Sequence, residues 1–182
     1  YAPTPLLSEN DLLEIKQKII APTIDELIKK NIDYRGVLYF GLMITKLGPK
    51  VIEYNCRFGD PECQTIMPLM NKDFVTLLQK CASGNLKGDE NCTIENKVSG
   101  CVITCSKGYP LSYEVGFPIF IDNNFAENLQ IFHSGTLINS DNELVTNGGR
   151  VLSIVCQAEN FDKAFDNAYT YIKQIKYQGK YY

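Results

Sequence analysis

Apolar residues recur at helical spacing in the first part of the chain, after an opening made extended by two prolines. Ser8 stands three residues before Asp11, a pattern that resembles a capping box with Asp in place of Glu. A helix is predicted from this cap, with an apolar face made by Leu12, Ile15, Ile19 and Ile20. Pro22 is expected to break this helix and to open a second one over residues 23–30.

The pattern changes to strands after residue 34. Residues 36–45 form a long apolar run, which predicts a buried strand. A Leu-Gly-Pro-Lys turn at 47–50 and a second strand at 51–56 complete a predicted antiparallel hairpin. Two helices are expected to follow, at 61–70 and 73–82.

The second half of the chain is richer in strands. Residues 83–97 hold Gly, Asn and mixed charges with few apolar residues, and they are the best candidate for a domain boundary. An amphipathic helix is predicted at 161–175. The pattern as a whole indicates an α+β fold. Its second part has predicted strands at 98–105, 117–121, 129–133, 135–138 and 150–157.

Composition narrows the class of protein. The chain has 182 residues, of which 45% are hydrophobic and 21% charged, as in globular proteins. Its net charge of -3 comes without a basic stripe, which argues against nucleic acid as a partner. No apolar run is long enough for a membrane span, and residues 1–7 lack the basic start of a signal peptide.

The seven cysteines are an odd number, and none belongs to a Cys-x-x-Cys pair. Cys101 and Cys105 share one face of a predicted strand, which suits two small core residues. Thiols in a reducing cytosol are therefore favoured over disulfides or a metal site.

The most informative stretch is Glu-Tyr-Asn-Cys-Arg-Phe-Gly-Asp-Pro-Glu at 53–62. Glu53 and Asn55 are two apart on a predicted strand, so their side chains share a face. A carboxylate beside an amide oxygen suits Mg²⁺, which takes few protein ligands when phosphates and waters supply the rest. The plainer alternative is a solvated polar face of the strand.

The residues directly after this pair can bind a substrate. Arg57 offers a planar fork for a carboxylate or phosphate, and Gly59 lets the backbone approach a ligand closely. Asp60 and Glu62 can hold a cationic amine or orient the arginine. The alternatives are a surface ion pair of Arg57 with Asp60, and an N-cap role for Asp60 with Pro61 as the first helical residue.

Several segments resemble glycinamide ribonucleotide synthetases, in the same order along the chain. The segments are Tyr-Arg-Gly-Val-Leu-Tyr at 34–39, Gly-Leu-Met at 41–43, the family signature Arg-Phe-Gly-Asp-Pro-Glu-Cys-Gln at 57–64, Lys-Gly-Tyr-Pro at 107–110, His-Ser-Gly-Thr at 133–136 and Thr-Asn-Gly-Gly-Arg-Val-Leu at 146–152. The resemblance covers nearly the whole chain. It implies the C-terminal portion of an ATP-grasp domain at 1–86, with antiparallel sheet and helices, and the small β-rich C-terminal domain of this family at 87–182, incomplete at its end.

The resemblance also implies roles for particular residues. Glu53 and Asn55 match the Mg²⁺ or Mn²⁺ ligands of a Glu-x-Asn motif. The signature loop on the substrate side of the site is matched by Arg57 and Asp60, with Gly59 and Glu62 in the same signature as further substrate-binding residues. From the chemistry of their side chains, Arg57 and Asp60 are predicted to be the catalytic residues.

A second loop is implied in substrate binding. Gly148, Gly149 and Arg150 match a C-terminal-domain loop that resembles a contributor to the phosphoribosylamine pocket, with Gly148 and Arg150 as the predicted substrate-binding residues. A hairpin turn at Asn147-Gly148 is an equal and compatible interpretation. His133, the one histidine of the chain, is expected to be structural, because the implied chemistry needs no imidazole base.

The reaction implied by the resemblance joins glycine to 5-phosphoribosylamine with ATP as co-substrate, through glycyl phosphate, in de novo purine (IMP) biosynthesis. The chain is then part of a cytoplasmic ATP-dependent ligase. The alternatives are another ATP-grasp carboxylate–amine ligase, or a non-catalytic scaffold domain of a multienzyme.

The chain is less than half as long as a complete enzyme of this family. The resemblance therefore implies a fragment that lacks most of the ATP site, is inactive alone, and has the missing N-terminal portion of the same enzyme as its partner. In many eukaryotes the synthetase is fused to two later purine-pathway enzymes, so fused domains of a multifunctional enzyme are further candidate partners.

Overall fold

The computed structural model describes residues 1–70, 73–88, 96–122 and 128–182. Part of the predicted boundary segment at 83–97 lies outside these ranges, and so does Cys92. The chain divides into two compact units. The sheet unit comprises Tyr1–Pro3, Pro61–Leu69 and Ile94–Tyr182, and the hairpin unit comprises Thr4–Asp60 and Met70–Thr93.

Helices and antiparallel strands make up both units, which confirms the predicted α+β class. In chain order the elements are α1 (Glu9–Ile15), a π-helical segment (Lys16–Ile20), α2 (Ala21–Lys29), β1 (Tyr39–Thr45), β2 (Gly48–Asn55), α3 (Glu62–Ile66) with a 3-10 turn (Met67–Leu69), α4 (Phe74–Ser83), β3 (Val98–Ser106), β4 (Leu129–His133), β5 (Thr136–Ile138), β6 (Leu144–Thr146), β7 (Arg150–Ala158), α5 (Phe161–Gln174) and β8 (Lys180–Tyr181).

The hairpin unit begins with the predicted capping box. Asp11 N donates to Ser8 Oγ at 3.2 Å, and Ser8 N donates to Asp11 Oδ2 at 2.8 Å. The predicted break at Pro22 is wrong, because helical backbone continues from α1 through the π-helical segment into α2. Ala21 N donates to the Lys16 carbonyl. This wider turn changes the hydrogen-bond register where proline lacks a donor, so the chain passes Pro22 without leaving the helix.

The β1–β2 hairpin is antiparallel as predicted, with Lys46 and Leu47 as its two turn residues. The prediction of a buried strand is wrong: Gly41 is the one buried residue of β1, while Met43 is 54% exposed and Ile44 48%. In the described part of the chain this sheet has two strands, which are too few to bury either face.

The sheet unit is built on a four-stranded antiparallel sheet with the order β4-β7-β3-β8. The central strand β7 is buried along most of its length, and α5 packs against β3 and β7. Apolar side chains of the sheet, of α5 and of the segments beside them form the core: Ile119, Val151, Leu152, Ile154, Cys156, Ala168, Ile172, Ile175 and Tyr177.

The shorter pieces of the sheet unit differ most from the sequence pattern. The predicted strand at 117–121 is wrong: it makes two isolated bridges, Pro118 to Val145 and Phe120 to Lys176, because proline has no N–H for a ladder. The strands β6 and β8 were not predicted. Asn139 closes the β5–β6 hairpin, since its Oδ1 accepts from Asp141 N at 3.0 Å and Glu143 N at 2.8 Å.

Candidate functional site

The carboxylate–amide pair lies in the second half of β2. Glu53 and Asn55 share a face of the strand, and Asn55 Nδ2 donates to Glu53 Oε1 at 3.0 Å. Glu53 is exposed and Asn55 is half-buried. Two oxygen-bearing groups side by side at the surface fit a hard divalent cation that takes its remaining ligands from water and phosphate.

A β-bulge precedes the pair and was not predicted. Gly41 pairs with Glu53, and Leu42 pairs with Val51, so Ile52 is an extra residue in β2. Gly41 and Leu42 are consecutive and therefore lie on opposite faces of β1. Their partners Glu53 and Val51 consequently lie on opposite faces of β2, although residues two apart in a regular strand share a face. The bulge therefore reverses the alternation of side chains along β2, so that Glu53 and Asn55 lie on the face opposite to that of Val51.

Gly41 was not singled out as a site residue, although it lies directly opposite Glu53. A Cβ at this position would be 2.8 Å from Glu53 Cγ and 3.5 Å from the Glu53 carbonyl oxygen. A glycine inside an apolar strand run often marks a close approach of this kind, and it was the available signal.

The loop after β2 exposes its charged side chains. Arg57 Nη1 donates to the Phe58 carbonyl at 2.8 Å, and the Phe58 ring packs against Phe74 with centroids 5.9 Å apart. Arg57 and Asp60 are exposed, whereas Gly59 between them is buried. The aromatic contact anchors the loop, while the Arg57 side chain holds its own loop backbone.

The helix after this loop begins one residue later than predicted. Glu62 is the first residue of α3, and Pro61 is its N-cap, without a side-chain capping hydrogen bond. The expected N-cap role of Asp60 with Pro61 as first helical residue is therefore wrong. Pro61 has φ -99° and ψ 15°, which places it before the helix rather than in its first turn.

The second candidate loop lies in the sheet unit, where two glycine segments pack backbone against backbone. Gly135 N donates to the Arg150 carbonyl at 2.8 Å, and Asn147 N donates to the Gly135 carbonyl at 2.8 Å. A Cβ on Gly135 would come within 2.6 Å of Gly148 Cα, and a Cβ on Gly149 within 2.0 Å of the Tyr109 ring. We call residues Gly135, Gly148 and Gly149 the glycine clasp.

The hairpin interpretation of Asn147-Gly148 is wrong. The strand β6 before the loop pairs with β5, whereas β7 after it pairs with β3 and β4, so the loop connects two different sheets. Side chains from neighbouring strands support it, since Ser106 Oγ donates to the Gly148 carbonyl at 2.8 Å. The glycines serve close packing here rather than a tight turn.

Arg150 begins β7 directly after the clasp and is half-buried. It pairs with Cys105 of β3. Burial raises the pKa of the Cys105 thiol, and the charge of Arg150 partly opposes this rise. His133 ends β4, and its Nδ1 lies 3.0 Å from Thr136 Oγ1, in keeping with the structural role expected for it.

In the described ranges, no three side chains of His, Cys, Asp or Glu gather into a group that could hold a metal ion. The described cysteines are thiols rather than disulfides. No helix in the same ranges is both long and apolar enough to cross a membrane.

Sequence similarity defines the class of this protein. Residues 1–63 match the family described as phosphoribosylglycinamide synthetase, ATP-grasp (A) domain, and the Glu-x-Asn pair lies within this matched part. Residues 99–182 match the phosphoribosylglycinamide synthetase C domain. The chain belongs to the phosphoribosylglycinamide synthetase family.

Individual relatives agree with this assignment. The chain is 43% identical to a phosphoribosylamine–glycine ligase from Caldanaerobacter subterraneus subsp. tengcongensis, over 100% of this chain and 43% of that protein. It is 40% identical to the trifunctional purine biosynthetic protein adenosine-3 of Bos taurus, over 100% of this chain and 18% of that protein. The chain thus spans less than half the length of these relatives.

A solved structure shows the same fold. The crystal structure of phosphoribosylamine–glycine ligase from Thermotoga maritima superposes with a TM-score of 0.85 at 31% identity, covering 98% of this chain and 44% of that one. The arrangement of helices and sheets described above is therefore that of the corresponding part of a known ligase.

Proposed function

We propose that this chain is part of an ATP-dependent ligase that forms glycinamide ribonucleotide from glycine and 5-phosphoribosylamine in de novo purine biosynthesis. The observation that carries the proposal is the Glu53–Asn55 pair, joined by a hydrogen bond of 3.0 Å, with the exposed Arg57 two residues further on. The names of the relatives and the family membership support the choice of reaction.

The metal ligands in this proposal are Glu53 and Asn55, with Mg²⁺ or Mn²⁺ as the ion. Their carboxylate and amide oxygens are the donors that such ions prefer, and the two side chains already touch. When bound, the ion would offset negative charge on the ATP phosphates. The chain's own contribution is to hold both donors on one face of β2.

The substrate contacts are assigned to the family signature at 57–64 and to the clasp with the arginine that follows it. Arg57 orients a carboxylate or phosphate through its planar fork, and Asp60 positions an amine, so these two are the proposed catalytic residues. Gly59 and Glu62 complete the substrate-binding side of this loop. Gly148 and Arg150 contribute to binding of phosphoribosylamine.

The reaction needs activation because the carboxylate of glycine is a poor electrophile. Transfer of the γ-phosphoryl group of ATP to a carboxylate oxygen gives glycyl phosphate and ADP. The amine of phosphoribosylamine then attacks the carbonyl carbon, the carbon–oxygen bond to phosphate breaks, and the amine loses a proton. Positioning and electrostatics account for most of such catalysis, so the loops above act by holding groups in place.

The organisation of the parent protein is part of the proposal. We assign residues 1–86 to the ATP-grasp domain and 87–182 to the C-terminal domain. The remaining ATP site would come from the N-terminal portion of the same enzyme, and in a multifunctional parent fused purine-pathway domains would lie beside it. A cytoplasmic location agrees with the thiol state of the described cysteines.

The first test is ADP release by the full-length parent with Mg·ATP and glycine, with and without phosphoribosylamine. ADP release that needs both substrates is expected. Release with a different carboxylate or amine would identify another ATP-grasp ligase, and no release from a folded parent would favour a scaffold. The isolated chain, assayed in parallel, is expected to be inactive.

The metal assignment is tested by Asn55→Ala in the full-length parent. Turnover is expected to fall by orders of magnitude, because one of the two donors is lost. The control is Asn10→Ala, which removes an exposed amide of α1. A wild-type rate for Asn55→Ala would show that the metal is held elsewhere.

A further inference from the structure

Gly41 lies beneath the proposed metal ligand in a register fixed by the bulge. The β1–β2 ladder pairs Gly41 with Glu53, and the extra residue Ile52 sets this pairing. Gly41 is buried although Glu53 opposite it is exposed. The Glu53 side chain therefore covers the glycine, and its Cγ lies 2.8 Å from the position that a Cβ of residue 41 would take.

A side chain at Gly41 cannot coexist with the observed position of Glu53. An added Cβ would be 2.8 Å from Glu53 Cγ, which is closer than carbon atoms approach in folded proteins. The two backbones are held together by the ladder, whereas rotation about the Cα–Cβ bond of Glu53 moves Cγ freely into solvent. Glu53 is thus the partner that would give way.

The displaced carboxylate would leave Asn55. The contact between Asn55 Nδ2 and Glu53 Oε1 requires both side chains to keep their present rotamers. A change of rotamer at Glu53 moves its carboxylate by several ångströms, more than the tolerance of a metal ligand set. The free energy of unfolding would change little, because the Glu53 side chain that moves is exposed.

We infer that Gly41 is a positioning residue of the proposed metal site: its missing side chain holds the Glu53 carboxylate beside Asn55. This inference rests on the function proposed above. A glycine is unfavourable in the middle of a strand, and Phe40 and Leu42 on either side are large apolar residues. A glycine at this position leaves room for the Glu53 side chain, which accounts for its place in an otherwise apolar strand.

The test is Mn²⁺ binding to the full-length parent with a non-hydrolysable ATP analogue, followed by electron paramagnetic resonance. Gly41→Ala is expected to raise the Kd for Mn²⁺ about 10- to 100-fold, as when a supporting residue of a metal ligand is changed. Its unfolding temperature is expected to stay close to that of the wild type. Leu42→Ala, whose side chain is on the other face of β1, is the matched control and should leave Mn²⁺ affinity unchanged.

A double-mutant cycle separates positioning from damage to the strand. If Gly41 acts through Glu53, the effect of Gly41→Ala on Mn²⁺ affinity disappears in a Glu53→Ala background. A loss of affinity that persists in that background, or that comes with a large fall in unfolding temperature, would overturn the inference in favour of a structural role.

The same measurements distinguish this inference from the proposed function. Weaker Mn²⁺ binding by Glu53→Ala and Asn55→Ala with unchanged binding by Gly41→Ala would reject the positioning role alone. Unchanged binding by all three variants would reject the metal site, and the positioning role with it.

Discussion

At the scale of single residues, Cys156 and Tyr177 are titratable side chains within the core of the sheet unit. The Cys156 side chain is fully buried, and burial, with a smaller contribution from Cys101, raises its pKa from 9.0 to about 12. Burial also raises the pKa of Tyr177 from 10.0 to about 12, although a hydrogen bond with Thr104 partly opposes the rise. Both groups therefore keep their protons in the folded state when the unfolded chain has lost them.

Stability is predicted to fall with rising pH between about 9 and 12. In this window the unfolded chain binds fewer protons than the folded one, so each group adds a slope of up to ~1.4 kcal/mol per pH unit against folding. Below pH 9 the contribution of both groups is fully present. Urea unfolding of the chain at a series of pH values, with reductant throughout, measures the slope.

Variants assign this slope to the two groups. Cys156→Ala and Tyr177→Phe should each lower the slope, whatever their effect on stability at pH 7. Ser153→Ala is the matched control, because Ser153 is also buried in β7 and does not titrate. A slope unchanged by both substitutions would mean that other groups cause the alkaline loss of stability.

The residues of the candidate site differ in how far the sequence could predict them. The shared face of Glu53 and Asn55 follows from the strand period alone. The strand partner of Glu53 does not follow from it, because the bulge at Ile52 shifts the register. The extra residue is an isoleucine, so no Gly or Asn marks the bulge in the sequence. The Arg57 contact to the Phe58 carbonyl depends on loop geometry, which a pattern of residue types does not determine.

At the scale of elements, α5 has specific partners at both ends. At its start, Asn160 Oδ1 accepts from Lys163 N at 2.9 Å. At its end, Lys180 Nζ donates to the carbonyls of Ile172 and Ile175, and burial lowers the pKa of this lysine. These contacts satisfy backbone groups that a helix cannot pair within itself.

Asn160→Ala is predicted to destabilise the sheet unit by about 1 kcal/mol, because the cap is lost and α5 covers the core. Chemical unfolding monitored by circular dichroism measures the change. Asn160→Asp keeps an acceptor at the cap and should retain wild-type stability or exceed it. Equal losses for the two variants would point to another role for the Asn160 side chain.

Long periodic elements were predicted well, and short ones were not. The strands β3, β4 and β7 and the helix α5 agree with the pattern within a residue or two, because each coincides with a regular apolar run or apolar periodicity in the sequence. Two of the errors lie at prolines: at Pro22, where a π turn continues the helix, and at 117–121, where Pro118 limits pairing. The two-residue strand β8 forms because β3 offers it an edge, which local sequence cannot reveal.

At the scale of the whole molecule, burial is distributed unevenly between the units. The described apolar residues of the hairpin unit include two that are buried, Ile15 and Ile19, while many others are exposed. The sheet unit has a core in which Val151, Leu152 and Ile154 are fully buried. The hairpin unit therefore gains less free energy of folding from apolar burial than the sheet unit does.

Hydrogen exchange of the chain is predicted to follow this difference. Amides of β7 should exchange slowest, through global unfolding of the sheet unit, whereas amides of β1 and β2 should exchange much faster through local opening. Mass spectrometry of peptides covering 39–55 and 150–158 compares them directly. Equal protection of the two regions would show that the hairpin is held as firmly as the core.

The glycine clasp also determines which substitutions this part of the protein can accept. Gly135, Gly148 and Gly149 meet backbone or ring atoms at distances that no side chain fits. Ser134 and Asn147, which precede the first two of them, are exposed and donate through backbone N–H groups to the Val151 and Gly135 carbonyls. Side chains at these two positions can therefore vary while the loop keeps its path. Close packing thus restricts substitution at three glycine positions and leaves their exposed neighbours, Ser134 and Asn147, open to change.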